Sequence, residues 1–374
     1  MHRAHKIRMY PTKAQTSLLW QAVGASRFTY NWGLDRWNKM WEAHKADHRN
    51  PRPSYVLLSR IWTKEKPEWT LQIARCTTNR SLKDLGTAWN NFFKGLARLP
   101  VFKKKKDLSG SFYVERGKSI IKGKKIRIPN VGWMKLSEEL RFSGKIMSYT
   151  VSTYAGKWYV SVSMEVPEET KEVPDTVIGI DVGLDNPAWD SDNNHLQLPE
   201  KDLEKLERKL KRAQKALSRS QRNSKNSYKK LLRKQKVQDK INNTRSDISH
   251  KYTTAVCKNH ATVVIEDLDI EGMIEKAPAR AVRRAFNSSL MRAIHWQLSY
   301  KAKKLIKAPR FYPSSKTCSH CGAIKSDLKI TERVYKCPAC SLEINRDYNA
   351  ALNLMKIGLV KSEFKLVETP NKSL

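Results

Sequence analysis

The sequence predicts a multidomain α+β protein, and three observations carry that prediction. The N-terminal part shows helical periodicity with an aromatic stripe; residues 111–166 alternate in the manner of strands; and the remainder sets two apolar strands around a long basic helical stretch.

Taken in order, His5 to Tyr10 reads as a short strand. After Pro11 the residues Leu18, Leu19, Ala22, Val23, Ala25, Phe28, Tyr30, Trp32 and Trp37 fall on one side of helices. Thr77 to Leu96 repeats the pattern with Leu82, Leu85, Ala88, Trp89, Phe92 and Phe93, and Arg80, Lys83 and Lys94 between them. Beyond the run Lys103-Lys104-Lys105-Lys106, segments such as 119–121, 125–129 and 157–164 predict a small antiparallel barrel or sandwich. Val177 to Val182 is then apolar except for Asp181, as in a strand covered on both faces.

From Lys201 to His250 the leucines stand three and four apart, with a break at 218–227, which predicts a helical hairpin. Ala261 to Ile265 is a second apolar strand, ending at Glu266-Asp267. A single long amphipathic helix is expected from about Ala281 to Leu305, and a last helix from Asp347 to Leu359 before a polar tail.

The 374 residues, 40% of them hydrophobic, suffice for more than one core and exclude a disordered tail. Lys and Arg number 72 against 36 Asp and Glu, and the resulting charge of +36 is spread along the chain. A polyanion is the natural partner, with binding that weakens with salt by roughly −0.9 in log–log slope per neutralised DNA phosphate. Charge alone leaves a ribosomal-type RNA binder or a lipid-docking protein open. The first residues carry no apolar signal region and no stretch reaches the ~18 apolar residues of a membrane span, so a soluble, cytoplasmic protein is expected.

Four of the six cysteines form Cys318-x2-Cys321 and Cys337-x2-Cys340, fifteen residues apart. That spacing suits a structural zinc ion held by four thiolates. His320 reads as a surface residue, and Cys76 and Cys257 as small buried hydrophobes.

Three acids stand on separate elements: Asp181 within a strand, Glu266 at a strand end and Asp347 at a helix start. Phosphodiester hydrolysis with two Mg²⁺ ions needs hard oxygen ligands that converge in this way. Each acid also has an ordinary reading. Asp347 suits a helix N-cap, Glu266 a local ion pair and Asp181 a backbone turn, although a carboxylate in an apolar strand is costly unless paired or metal-bound. Asp185, Asp190, Asp192 and Asp267 lie near enough to be mistaken for site residues.

Several blocks of the sequence resemble the TnpB (OrfB) family of transposon-encoded RNA-guided nucleases, related to type V CRISPR effectors. They are Ile178 to Leu184, Val264 to Leu268, Tyr312 to Gly322 and Asn345 to Ala351, with Lys6 to Thr12 and Arg27 to Trp32 resembling that family's helix-turn-helix region. The likeness spans nearly the whole chain in the family's order. It departs at residues 186–193, which puts the strand after Asp181 in question.

The resemblance implies a bilobed molecule. Its parts would be a wedge β-barrel at 1–10 and 99–170, a helical recognition domain at 11–98, a RuvC-like ribonuclease-H-fold domain at 174–311 and 346–374 with the basic hairpin 201–250, and a zinc-ribbon insert at 312–345. It also implies Asp181, Glu266 and Asp347 as catalytic acids for two Mg²⁺, zinc on the four cysteines, a guide RNA from the transposon end, double-stranded target DNA, and a monomer in the complex.

Base pairing would then read the target while the protein reads a short adjacent motif. Thr77, Thr78, Asn79 and Arg80 are candidates for that reading, since Asn and Arg contact base edges; an ordinary capped helix start is the equal alternative. Lys103, Lys104, Lys105, Arg212, Lys230 and Arg233 are candidates for nucleic-acid backbone contact, against a merely solvated basic surface. The rival functions are an RNA-guided repressor that does not cut, a compact type V CRISPR effector and a stand-alone transposase. The last is disfavoured because no His-hydrophobic-His motif with a tyrosine nucleophile is visible.

Overall fold

The computed structural model describes residues 2–105, 108–118, 120–167, 172–329 and 331–367. It divides into two compact units, Met1–Glu169 with Lys209–Asp239, and Thr170–Arg208 with Lys240–Leu374. Lys106, Ser119 and residues 368–374, parts of the predicted lysine run, strand segment and tail, lie outside the described residues.

The first unit begins with β1 (His2–Tyr10), followed by α1 (Lys13–Ala46), α2 (Tyr55–Glu65) and α3 (Arg75–Phe93). Thr12 and Gln15 cap the start of α1 reciprocally: Thr12 Oγ1 accepts from the Gln15 amide at 3.3 Å, and Gln15 Oε1 accepts from the Thr12 amide at 3.0 Å. The three helices close on an aromatic core in which Trp37 and Trp89 stack at 5.4 Å, with Leu34, Leu58, Leu82 and Leu85 around them.

Six further strands follow: β2 (Gly110–Glu115), β3 (Ile120–Lys122), β4 (Lys125–Ile128), β5 (Gly132–Leu136), β6 (Lys145–Tyr154) and β7 (Lys157–Glu165). With β1 they form one antiparallel sheet in the order β2-β6-β7-β1-β5-β4-β3. Alternate residues such as Ile7, Met9, Val151, Val160 and Val162 turn into a single core, which Leu19, Ala22 and Val23 of α1 join. The β6–β7 turn holds Ala155 and Gly156 both at positive φ (53° and 76°), the paired left-handed geometry that matches strand twist.

The second unit opens with β8 (Val177–Asp181) and β9 (Trp189–Asp190), and then α4 (Glu200–Ser218) and α5 (Lys225–Asn259), the predicted hairpin. The hairpin does not fall wholly in the second unit. Its Lys209–Asp239 portion belongs to the first, where Lys157 Nζ meets Asp239 Oδ2 at 2.8 Å.

Next come β10 (Thr262–Ile265), α6 (Ile270–Glu275), α7 (Arg280–Ser288), α8 (Met291–Lys301) and β11 (Lys304–Lys307). The single helix expected over 281–305 is thus two helices and a strand. The chain breaks at Ser289, whose amide returns to the Ala285 carbonyl at 2.8 Å and whose hydroxyl donates to that of Phe286. Lys304 to Lys307 joins the sheet because Leu305 and Ile306 can pair beside β10. The chain then forms the hairpin β12 (Val334–Lys336) and β13 (Glu343–Asn345), and ends in α9 (Arg346–Val367).

The second sheet runs β11-β10-β8-β9, parallel at β10 with both neighbours and antiparallel at β9. One face packs Ile178, Ile180, Val263 and Ile265 against α5 and α8; the other packs Val264 and Ile306 against Leu354 of α9. Coverage on both faces explains the unbroken apolar strands. The segment after Asp181, despite its unusual residues, does supply the antiparallel strand β9, which pairs Trp189 with Asp181.

Candidate metal centres

Asp181 is the last residue of β8, and Glu266 follows β10 directly, so the parallel pairing of these strands sets the two carboxylates on one sheet end. Asp347 stands in the first turn of α9, which packs across β8. Its side chain does not cap the helix: Asn345 Oδ1 accepts from the amides of Asp347 and Tyr348 at 2.9 and 3.2 Å, leaving the Asp347 carboxylate free to face inward.

Strand pairing sets Asp181 beside Glu266, and the charges of Glu266 and Asp347 both act on Asp181. Dense packing around Asp181, which still keeps part of its surface open, and then the charges of Glu266 and Asp347 push its carboxyl well above the usual range. Arg346 and the Val182 amide act in the opposite direction. Burial also raises Glu266, against the hydroxyl of Ser314, which donates to its Oε1. Asp347 accepts from Asn186 Nδ2 at 2.5 Å and from the Arg346 guanidinium at 3.3 Å. Neither Asn186 nor Ser314 stood out in the sequence, because nothing in spacing or periodicity marks a neutral side chain that reaches a distant carboxylate.

The neighbouring acids are engaged elsewhere. Asp267 pairs with Lys307 at 2.8 Å, Asp192 with His260 at 3.1 Å and Asp185 with Arg333. Asp190 accepts from the amides of Asp192 and Asn194 within its own turn.

Among the described residues, Cys318, Cys321, Cys337 and Cys340 are the group whose possible ligand atoms all lie within 4.8 Å of one another; the oxygens of the three acids are not drawn that close. The sulfurs of Cys318 and Cys340 are 3.7 Å apart, and those of Cys321 and Cys337 3.5 Å. A tetrahedral ion with sulfur bonds of about 2.3 Å would set its ligands about 3.8 Å apart, so the cluster could hold a metal such as zinc. Backbone amides of Cys340 and Ala339 lower the Cys337 thiol to about 6. Tyr335 is fully buried beside Cys318 and Cys337, and its hydroxyl donates to the Lys316 and Ala323 carbonyls. His320 is exposed, Cys76 is half-buried, and Cys257 is half-buried with burial raising its thiol to about 11.

In the first unit, Thr77 and Thr78 are buried. Their hydroxyls donate to the Tyr113 and Arg75 carbonyls, so both support the fold and offer no free donor outward. Asn79 lines a cavity of about 160 Å³ with Lys66 and Arg75, and Arg80 is exposed, paired with Asp84 at 2.7 Å and lying over the Tyr113 ring. Lys103 is exposed as a whole residue, but its ammonium is packed 3.8 Å from the Tyr30 ring centre, and that burial lowers its proton affinity. Lys104, Lys105, Arg212 and Arg233 are exposed, and Lys230 is half-exposed.

The fold thus carries three acids at one end of a mixed sheet and a four-cysteine cluster at the separate β12–β13 hairpin. Residues 1–46 match a family described as a helix-turn-helix domain, 159–277 the OrfB family of IS605-type elements described as "Probable transposase", and 288–354 a Cas12f1-like TNB domain. In this chain the first of these stretches is one strand and one continuous helix.

InsQ of Escherichia coli (strain K12), named a putative RNA-guided DNA endonuclease, is 32% identical over 95% of this chain and 92% of its own length. A Streptomyces pristinaespiralis protein of the same description is 28% identical over 96% and 90%. The CRISPR-associated endodeoxyribonuclease Cas12f1 of Sulfoacidibacillus thermotolerans is 26% identical over 53% of this chain and 50% of its own. Among solved structures, the mini-RNA-guided endonuclease CRISPR-Cas_phi3 gives a TM-score of 0.46 at 10% identity over 96% of this chain and 92% of the other. The chain belongs to the TnpB (OrfB) family.

Proposed function

We propose that this chain is an RNA-guided DNA endonuclease of an insertion sequence, cutting DNA through Asp181, Glu266 and Asp347. The observation that carries this reading is that the parallel pairing of β8 with β10 sets Asp181 and Glu266 at one sheet end while α9, with Asp347 in its first turn, packs across β8; burial and then the charges of Glu266 and Asp347 raise Asp181, which cations would relieve. Three hard-oxygen donors at one end of the sheet could hold two Mg²⁺ ions, which would supply water activation and stabilisation of the leaving oxygen. The chain's own residues orient that set: Ser314 holds Glu266, while Asn186 and Arg346 hold Asp347.

The second unit is, on this reading, a RuvC-like domain of ribonuclease-H fold with a structural zinc ribbon at 312–345. The seven-stranded sheet serves as the wedge, and the helices α1 to α3 serve as the recognition domain. The guide is an RNA from the transposon end and the target is duplex DNA. Asn79 and Arg80 remain the candidates for reading the adjacent motif, with Lys103, Lys104, Lys105, Arg212, Lys230 and Arg233 along nucleic-acid backbones. The protein works in the cytoplasm, at the nucleoid when bound to DNA, as a monomer in its complex; among the described residues no helix is long and apolar enough to cross a membrane.

A transposon source of guide is favoured by the match of residues 159–277 to the family described as "Probable transposase"; a transposon end overlapping the 3′ side of the gene supports it, and a repeat array supports a CRISPR source instead. The test is purification of the protein expressed from its native locus, sequencing of the RNA that accompanies it, and cleavage of a plasmid library with randomised flanks in Mg²⁺. Guide-matched cutting beside one short motif supports the reading. RNA-dependent binding without cutting would replace it with the repressor.

A further inference from the structure

The cysteine cluster and the acid site share one segment, residues 314–319, buried at both ends and partly buried between. At its start Ser314 is only 3% exposed, and its hydroxyl donates to Glu266. Its carbonyl accepts from Asn353 Nδ2 at 2.8 Å. Thr317 O accepts from Asn349 and Asn353, both at 2.7 Å, and the Ser319 amide donates to Asn349 Oδ1 at 2.9 Å. Lys356 also donates to the Ser319 carbonyl. Cys318, a sulfur ligand, sits inside this segment. Asn349 and Asn353 are 0% and 2% exposed and belong to α9, the helix that starts with Asp347.

Polar groups as buried as Ser314, Asn349 and Asn353 are stable only when their partners are present. A neutral hydroxyl placed on a carboxylate fixes which oxygen is left for a cation. The bland alternative, that the asparagines only pin a loop to a helix, accounts for Asn349 and Asn353 but not for the hydroxyl aimed at Glu266.

Resting on the acid-site reading above, we infer that Ser314 is a positioning residue for Glu266, and that the segment 314–319 makes the acid site depend on metal at the four cysteines. One strap then serves both centres. Cys318 would be fixed by zinc when bound, the α9 asparagines hold the backbone on either side of it, and Ser314 would deliver that rigidity to Glu266.

The experiment uses the full chain with its accompanying RNA, and two readouts: zinc content by mass spectrometry and Mn²⁺ binding at the acid site by electron paramagnetic resonance. Ser314→Ala is expected to keep zinc at the parent's stoichiometry while binding Mn²⁺ roughly 10–100-fold more weakly, the range for losing an outer-shell partner. Ser314→Thr, which keeps the hydroxyl, restores binding. Cys337→Ser loses zinc and weakens Mn²⁺ binding, with Asn353→Ala as a milder disconnection of the same strap should the cysteine variant not fold.

Parent-like Mn²⁺ affinity in Ser314→Ala overturns the inference. So does weakened binding in both Ser314→Ala and Ser314→Thr, which would indicate packing instead of a placed hydroxyl. Asp181→Ala separates the two readings: if it binds Mn²⁺ as the parent does, the acid-site reading fails and the strap with it; if it binds weakly while zinc-free Cys337→Ser binds as the parent does, the strap alone is overturned.

Discussion

Asn186 Nδ2 donates to Asp347 Oδ2 at 2.5 Å, tying the loop that leaves β8 to the first turn of α9 across 161 positions of sequence. The loop folds on itself to do so, with the Gly183 amide donating to the Asn186 carbonyl at 3.1 Å. The part of the sequence that departs most from the family's pattern thus begins with a residue that orients the third acid.

Removing that donor has a defined effect. Asn186→Ala is expected to raise the Mg²⁺ concentration for half-maximal cleavage by roughly 10–100-fold, with little change in RNA binding. Asn186→Asp, which adds a like charge to the same place, is expected to be worse. A metal titration of cleavage rate checks both; an unchanged midpoint in Asn186→Ala removes the residue from the site.

The crowding of the acids makes stability depend on pH in a particular direction. Asp181 and Glu266 hold protons more tightly folded than unfolded, so their protonation stabilises the fold below the ordinary carboxylate range, and that contribution is lost as pH rises through their raised folded values. The Tm in Mg²⁺-free buffer should fall over that interval and recover when Mg²⁺ is added. Asp181→Asn, neutral at every pH, should have a higher Tm than the parent at neutral pH without Mg²⁺, gain less from Mg²⁺, and not cut. A lower Tm for the variant under those conditions would show that Asp181 is not under electrostatic strain.

The seat of α9 on β8 depends on a missing side chain. A Cβ on Gly179 would lie 2.1 Å from the Ala351 carbonyl oxygen and 2.4 Å from the Met355 amide nitrogen, backbone atoms that cannot swing aside. Gly179→Ala should therefore cost about 3 kcal/mol, the upper part of the usual range for overpacking, and it should displace Asp347 from Asp181. Denaturant unfolding and cleavage should fall together; a parent-like midpoint would mean that α9 is seated differently.

Much of this was legible before the fold was known. An apolar run interrupted by one carboxylate announces a strand buried on both faces, and Asp181 proved to be that interruption; the cysteine spacing announced a cluster that the sulfur positions bear out. What stayed hidden depends on long-range pairing. β1 enters the first sheet between β7 and β5, matching Ile7 to Val160 and Met9 to Leu136, a placement no local pattern specifies. The break at Ser289 was masked because apolar residues on either side continue a helical stripe, and Thr77 and Thr78 look available in sequence but are turned into the protein.

Asp181, Glu266 and Asp347 are proposed to share divalent cations. Anomalous diffraction from crystals grown with Mn²⁺ measures this directly. Two peaks about 3.5–4 Å apart, bound by oxygens of all three side chains, are expected. Peaks lying elsewhere, or none at this site with Mn²⁺ in excess, would contradict it.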